Sequence, residues 1–362
     1  MRINFSHKYE SIWVFLVSVV LCFIVFGNGI FGEFVFDDVS VVQNRGDLKD
    51  GGNFFNLFIS PYHQNTPETG LSRPFTIASY YLNYEVFGSS PISFHVVNII
   101  IHALNSLLVF WLLNFLFKSR KIAFVSFLLF LLHPIHTEAV TSIVGRAELL
   151  AFFWSILAIV LFVQNKKLPA AIAFLPALMS KEIALAALPM IFYIDAVFLK
   201  TARRKALSNA SLFALPMAAY SLFRYLALGQ YFLNDTRTTL VENVLKFSSL
   251  PERIWTAFKV LYMYAEKLIW PVHLSVDYSY NAIPVVKNII SSPQSIFGLL
   301  IFLILVASVV SSRVRRTGFG FGSAVFLFPY LMISNLVIPV GTIMGERLMY
   351  FPSLGFAVVS AL

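Results

Sequence analysis

KIAFVSFLLFLLHPIHTEAVTSIVGRAELLAFFWSILAIVLFV, residues 121–163, is the stretch on which the fold turns. An apolar run at 122–132 gives way at His133 and Pro134 to a segment carrying His136, Glu138, Arg146 and Glu148, and a second apolar run follows at 149–163. A helix needs about 20 residues to cross a hydrocarbon core. The first run is too short, so its polar continuation sits at membrane depth. Charged or irregular backbone survives there only inside protein or beside a water-filled cavity. Together with a second short run at 168–179, this implies a helix bundle with a cavity opening to one side.

The rest of the chain agrees. Of 362 residues, 58% are hydrophobic and 12% charged, with 38 phenylalanines, far too apolar for a soluble domain of this length. The net charge of +9 does not mark a nucleic-acid binder, because the basic residues lie in short runs between apolar stretches rather than on one polar face. The stretch 11–31 follows a basic start, Arg2 and Lys8, but outruns a signal-peptide core and has no cleavage site after Gly32. It reads as a span. The single Cys22 excludes an intrachain disulfide and leaves the redox compartment unread.

Ten apolar stretches predict about ten crossings: 11–31, 94–117, 122–132, 149–163, 168–179, 183–199, 207–228, 294–311, 320–340 and 353–362. The last is about half the required length, so the span is expected to continue past residue 362. Five basic clusters interrupt the runs: Arg2 with Lys8; Lys118, Arg120 and Lys121; Lys166 and Lys167; Lys200, Arg203, Arg204 and Lys205; and Arg313, Arg315 and Arg316. The positive-inside rule makes these cytoplasmic, the N-terminus included. Parity then requires 254–270, which carries Lys259, Glu266 and Lys267, to be an interfacial or re-entrant amphipathic helix rather than a span. Sixteen of the 18 acids fall outside, in 32–93, 133–148, 180–182, 229–293 and 341–352, leaving Glu10 and the intramembrane Asp195.

The chemistry-bearing residues gather in these outer segments. Asp37 and Asp38 follow the first span; adjacent carboxylates repel, which raises the pKa of one and suits a general base or a cation site, although a solvated helix end explains them equally well. Arg73 lies in the first outer loop. His95, Asn98, His102 and Asn105 recur at helical spacing and should line the bundle interior. His133, His136 and Glu138 resemble a zinc pattern, but Pro134 interrupts it and the HExxH order is missing, so no metal is expected. Arg146 and the histidines suit phosphate donors in a low-dielectric pocket better. Lys181 and Glu182 occupy a turn with almost no loop, where an ion pair that merely stitches two helix ends is the less favoured alternative to a functional role. Asp277, Glu346 and Arg347 sit at the outer boundary.

Taken together, FVFDD (34–38), SRPFTIASYYLNYEVFG (72–88), FHVVNIIIHA (94–103), HPIHTEAVTSIVGRAELL (133–150), SKE (180–182), LSVDYSYNAIP (274–284) and GTIMGERLMYFPSLGF (341–356) resemble the transmembrane O-mannosyltransferases with tetratricopeptide repeats, TMTC, which have the GT-C glycosyltransferase fold. The blocks stand in family order along nearly the whole chain. The resemblance implies an all-α polytopic bundle, 1–362 forming a single GT-C-like transmembrane domain incomplete at its C-terminus, with 32–93 as the first outer loop and 229–293 as a large outer segment. It implies inverting transfer of a sugar, mannose in characterised members, from a polyprenyl-phosphate carrier to a Ser or Thr hydroxyl of a secreted or luminal protein, with no cofactor. The active site would face the ER lumen in a eukaryote, or the periplasm or exterior in a bacterium.

By the same resemblance the base lies in the first outer loop. Asp37 is assigned that role with Asp38 as its partner, and exchange of the two stays open. Arg73, Arg146, Lys181 and Arg347 are candidates for the donor phosphate, while Glu138, Glu182 and Glu346, with His133 and His136, support them. Membrane lipids and a protein acceptor are the implied partners. A lipid or polysaccharide acceptor is the alternative within the enzyme class, and a polytopic transporter, a flippase or a non-catalytic scaffold outside it.

Overall fold

In a computed structural model the chain is described over residues 5–49, 53–233 and 238–362. Arg2, part of the basic start, lies outside the described residues. The protein is 73% helical, with no strand among the described residues. Helix α1 (Phe5–Phe26) leads into an extended, mostly 3-10 loop that ends in α2 (Pro74–Phe87), and α3 (Pro91–Phe117) returns through the bundle. Then come α4 (Arg120–Leu132), α5 (Thr137–Thr141), α6 (Arg146–Val163), α7 (Lys167–Ser180), α8 (Ala187–Tyr193), α9 (Arg203–Ser211) and α10 (Ala214–Leu228). The rest comprises α11 (Leu250–Ile269), α12 (Pro293–Val310), α13 (Gly318–Ile333) and α14 (Ser353–Ser360).

The all-helical polytopic reading is borne out, but the number of crossings is corrected. Among the described residues, five helical stretches are long and apolar enough to cross a membrane: 12–29, 91–117, 143–163, 203–231 and 293–310. A sixth arises if the pair Arg120–Leu132 and Pro134–Thr141, bent by 49°, is one broken span. The remaining apolar runs fold into shorter pieces. Run 183–199 is taken up by a 3-10 turn (Glu182–Ala186), α8 and a π-turn (Ile194–Phe198), with Pro189 in the first turn of α8, where a missing N–H is tolerated. Run 320–340 stops at Ile333 because Asn335 takes φ +57° and its side chain bonds Asn243, Val340, Thr342 and Ile343.

Three features of the sequence translate directly. Proline disfavours the helical region for the residue before it, and His133 is extended (φ −68°, ψ 124°), so α4 ends where Pro134 requires. His95, Asn98, His102 and Asn105 are all buried, as the stripe predicted. The amphipathic segment expected at 254–270 is α11, opened by a capping box between Ser249 and Glu252, with Ala257, Leu261, Tyr264 and Leu268 buried along one face.

Helix α11 packs against α12 at Gly298, where a Cβ would lie 1.8 Å from the Phe258 carbonyl oxygen. Gly298→Leu should force the two helices apart at a cost of about 2–3 kcal/mol, lowering the thermal unfolding midpoint. An unchanged midpoint would show that the backbones do not meet there.

The large core runs through α3, α4, α6, α7, α11, α13 and α14. A second, smaller cluster belongs to the 34–94 segment itself: Val41, Val42, Leu48, Leu57, Tyr62, Ile77, Tyr80 and Phe94 close around Ile143. The loop is therefore packed rather than pendant. Arg45, 1% exposed, ties its middle together by bonding Asp47, Ser60 Oγ and the carbonyls of Pro61 and Tyr62.

Candidate active site

Asp37 and Asp38 are held differently. Phe36, 78% exposed, takes φ +48°, a left-handed conformation costly for a side chain of that size, and the turn it makes directs the two carboxylates apart. Asp38 is buried and accepts the N–H groups of Val144 at 2.8 Å and Val35 at 3.3 Å, pinning the first loop to the turn before α6. Burial lifts its carboxyl above the usual range, against the pull of those N–H groups. Asp37 is exposed, and its side chain makes no hydrogen bond among the described residues.

The cations converge from five segments. Arg73, just before α2, reaches Glu182 at 3.3 Å, and Arg224 of α10 meets the other oxygen of the same carboxylate at 3.3 Å. Lys181 pairs with Glu148 of α6. Arg347 bonds Glu138 through both its guanidinium, at 3.0 Å, and its backbone N–H, at 2.8 Å. Lys267 of α11 lies 3.6 Å from Glu346, which also accepts the Tyr278 hydroxyl at 2.5 Å and the Ser275 N–H at 2.7 Å. Arg73 and Arg347 act electrostatically on Lys181, and Arg347 on Asp277, so these pairs form one neighbourhood. Glu138 thus pairs with Arg347, and Glu182 with Arg73 and Arg224, whereas Glu346 pairs with Lys267 and bonds the 275–278 loop.

Tyr62 joins the loop to this neighbourhood. Its ring carries the Arg73 guanidinium at 4.7 Å, and its buried hydroxyl, raised above the ordinary phenol range by burial, feels Asp37, Arg73 and Arg347 together. No motif pointed to Tyr62. Arg224 did leave a signal: an arginine inside the apolar run 207–228 needs a polar partner.

Arg146, His133 and His136 are engaged elsewhere in the fold. Arg146 is fully buried between Tyr80 and Phe94, and its donors go to Asn98, Asn83, Ser79 and Phe94. His133 donates to the Leu268 carbonyl at 2.9 Å, its other nitrogen accepting the Ile135 N–H, and His136 meets Ser353 at 2.7 Å. These histidines fasten the α4–α5 break to α11 and α14. Asp277 is exposed and bound to Ser279, which holds its carboxyl below the usual range.

Glu182 supplies a pH test. Burial raises its carboxyl pKa, but Arg73 and Arg224 outweigh burial and hold it below its ordinary value of 4.5. The folded state then binds this proton less tightly than the unfolded chain, so the contribution is complete above 4.5 and is lost as pH falls through the depressed folded value. Glu182→Gln should lower the unfolding midpoint at neutral pH by the equivalent of about 1–2 kcal/mol and flatten the loss below pH 4.5. A variant whose midpoint falls as steeply in acid as the parent's would remove Glu182 from this role.

An all-helical bundle with at least five helices able to cross a membrane, and with paired charges gathered at helix ends beside a packed loop, is a polytopic membrane protein. Its relatives define the kind further. The chain is similar to the protein O-mannosyl-transferase F38B6.6 of Caenorhabditis elegans, 30% identical over 96% of this chain and 50% of the relative. It is similar also to the protein O-mannosyl-transferase TMTC3 of Mus musculus, 27% identical over 96% of this chain and 41% of the relative, and to TMTC1 of Homo sapiens, 28% identical over 92% and 43%. The resemblance seen in the motif blocks is thus borne out along nearly the whole chain, which spans about half or less of these relatives' length. No family-wide sequence profile and no solved structure matches the chain.

Proposed function

We propose that this chain forms the membrane domain of a protein O-mannosyltransferase that moves mannose from a polyprenyl-phosphate carrier to a Ser or Thr hydroxyl on the non-cytoplasmic face. The observation that carries the reading is the division between the paired aspartates: Asp38 is consumed in holding the loop, while Asp37 is exposed and, like Arg73 and Arg347, acts electrostatically on Tyr62. Residues 32–93 and 229–293 serve as the outer segments that meet the acceptor.

In the proposed step Asp37 takes the acceptor hydroxyl proton as the oxygen attacks the anomeric carbon from the face opposite the phosphate. The carbon–oxygen bond to the phosphate breaks, configuration inverts, and polyprenyl phosphate leaves with the bonding pair. Arg73, Lys181 and Arg347 are the groups placed to stabilise that developing charge, acting in a partly buried setting where donors are worth more than in water. Arg146 is not among them, because its donors are already satisfied by the protein. Glu138 and Glu182 orient the cations; His133 and His136 act on the scaffold.

A transfer assay tests the reading: the complete protein in membranes with polyprenyl-phosphate-linked mannose and either serine- and threonine-rich peptides or lipid acceptors. Mannosylated peptide, with the anomeric configuration opposite to the donor's, is the expected result. Transfer to lipid alone would move the acceptor class, and no transfer to any acceptor would remove the enzymatic reading.

A further inference from the structure

The geometry points to a second lipid-phosphate site, in the cleft between α11 and the start of α12, that grips a lipid headgroup with Lys259 and Lys287 while the acyl or prenyl chain lies along α12. The cleft is an open surface depression of about 460 Å³, lined also by Ser291, Ser292 and Gln294.

Thr256 builds the cleft. Fully buried, it donates to the Glu252 carbonyl at 2.7 Å and accepts the Val286 N–H at 2.8 Å. This fastens segment 284–287 alongside α11 and supplies one lysine from each wall.

These two lysines differ from the cations of the candidate active site. Each of those has a carboxylate; Lys259 has only the Pro284 carbonyl, at 3.4 Å, and no acid within ion-pair distance among the described residues. Burial lowers its ammonium pKa, a cost that an anion would offset. Lys287 is exposed and makes no hydrogen bond among the described residues. Glu252, the carboxylate that feels it, is already engaged by the Ser249 cap at 2.7 and 3.0 Å.

The neighbouring surface suits the rest of such a ligand. Phe297, Leu300, Leu303 and Ile304, spaced three, three and one apart along α12, are 48–56% exposed and form an apolar stripe leading away from the cleft. By the charge pattern, α12 runs from the outer side towards the basic cluster at Arg313–Arg316, which places the lysines at the outer boundary of the bilayer. Cations on that side run against the prevailing bias and call for a local anion.

Two sources share this chemistry, a bilayer phospholipid and the polyprenyl phosphate carrier, and binding is measured without reference to transfer. Purified protein in detergent is titrated with short-chain phosphatidylglycerol, short-chain polyprenyl phosphate, the matching diacylglycerol and inorganic phosphate, and retention is read by native mass spectrometry. Phosphatidylglycerol or polyprenyl phosphate should bind, and the tighter of the two names the source. Lys259→Gln with Lys287→Gln should weaken that binding by about 10- to 30-fold, and the single change Lys287→Glu, at an exposed position, should act in the same direction with an unchanged unfolding midpoint. Equal retention of diacylglycerol, equal affinity for inorganic phosphate, or unchanged binding by the folded variants would each overturn the site.

Discussion

Arg146→Met is expected to leave little folded protein: about 3–5 kcal/mol of stability should be lost, a large share of what a domain has to spare. The guanidinium donates to Asn98 at 2.8 Å, Asn83 at 2.9 Å, the Phe94 carbonyl at 3.0 Å and the Ser79 carbonyl at 3.3 Å, with no carboxylate beside it. Methionine fills the space but leaves the buried side-chain oxygens of Asn98 and Asn83 without this donor and strips a second donor from the helix carbonyls of Phe94 and Ser79, and a buried acceptor left unpaired costs more than the bond was worth. Arg146→Lys should fare little better, since one ammonium cannot reproduce a fork that reaches α2, the start of α3 and the middle of α3 together. The readout is the monodisperse fraction in size-exclusion chromatography and the unfolding midpoint. If Arg146→Met folds normally yet binds the donor weakly, Arg146 returns to the phosphate-binding set.

The second large effect separates the adjacent aspartates. Asp37→Asn should reduce transfer by about 10²- to 10⁴-fold, the usual worth of a positioned general base, while the unfolding midpoint stays put, because the exposed side chain supports nothing. Asp38→Asn should do the reverse. It loses one of two acceptor oxygens and turns an amide N–H towards the N–H of Val35 or Val144, so the midpoint should fall by the equivalent of about 1–3 kcal/mol. Normal turnover by Asp37→Asn, with a folded but inactive Asp38→Asn, would exchange their roles.

Much of this was legible because the deciding signals are local. Pro134 stops α4, the spacing of Ala257, Leu261, Tyr264 and Leu268 makes α11 amphipathic, and the polar stripe from His95 to Asn105 had to face inward. Hydropathy overcounted the crossings because it records how apolar a run is and says nothing of where the backbone ladder breaks. Asn335 turns the chain out of α13 inside a stretch that remains apolar throughout, and 183–199 is taken up by successive 3-10, α and π turns. The partners of Arg146 were illegible for a different reason: its acceptors on Asn83 and Asn98 lie far away in sequence, and their convergence is a product of packing. Tyr62 was hidden altogether, since its position depends on Arg45 holding the carbonyls at 61 and 62. Arg224 was visible as a charge inside an apolar run, yet its partner Glu182 was assigned to neighbours nearer in the pattern.

The pairing of Arg73, Arg224, Lys181, Arg347 and Lys267 with Glu182, Glu148, Glu138 and Glu346 leaves five cations against four carboxylates. Such a neighbourhood is nearly neutral as a whole. On the proposed function, an arriving phosphate would gain contacts mainly by trading places with a carboxylate, so its grip would be a difference between two ion pairs rather than the full attraction of five positive charges. Weak retention of a spent carrier favours turnover, because a site that held phosphate with its whole complement of cations would be a trap.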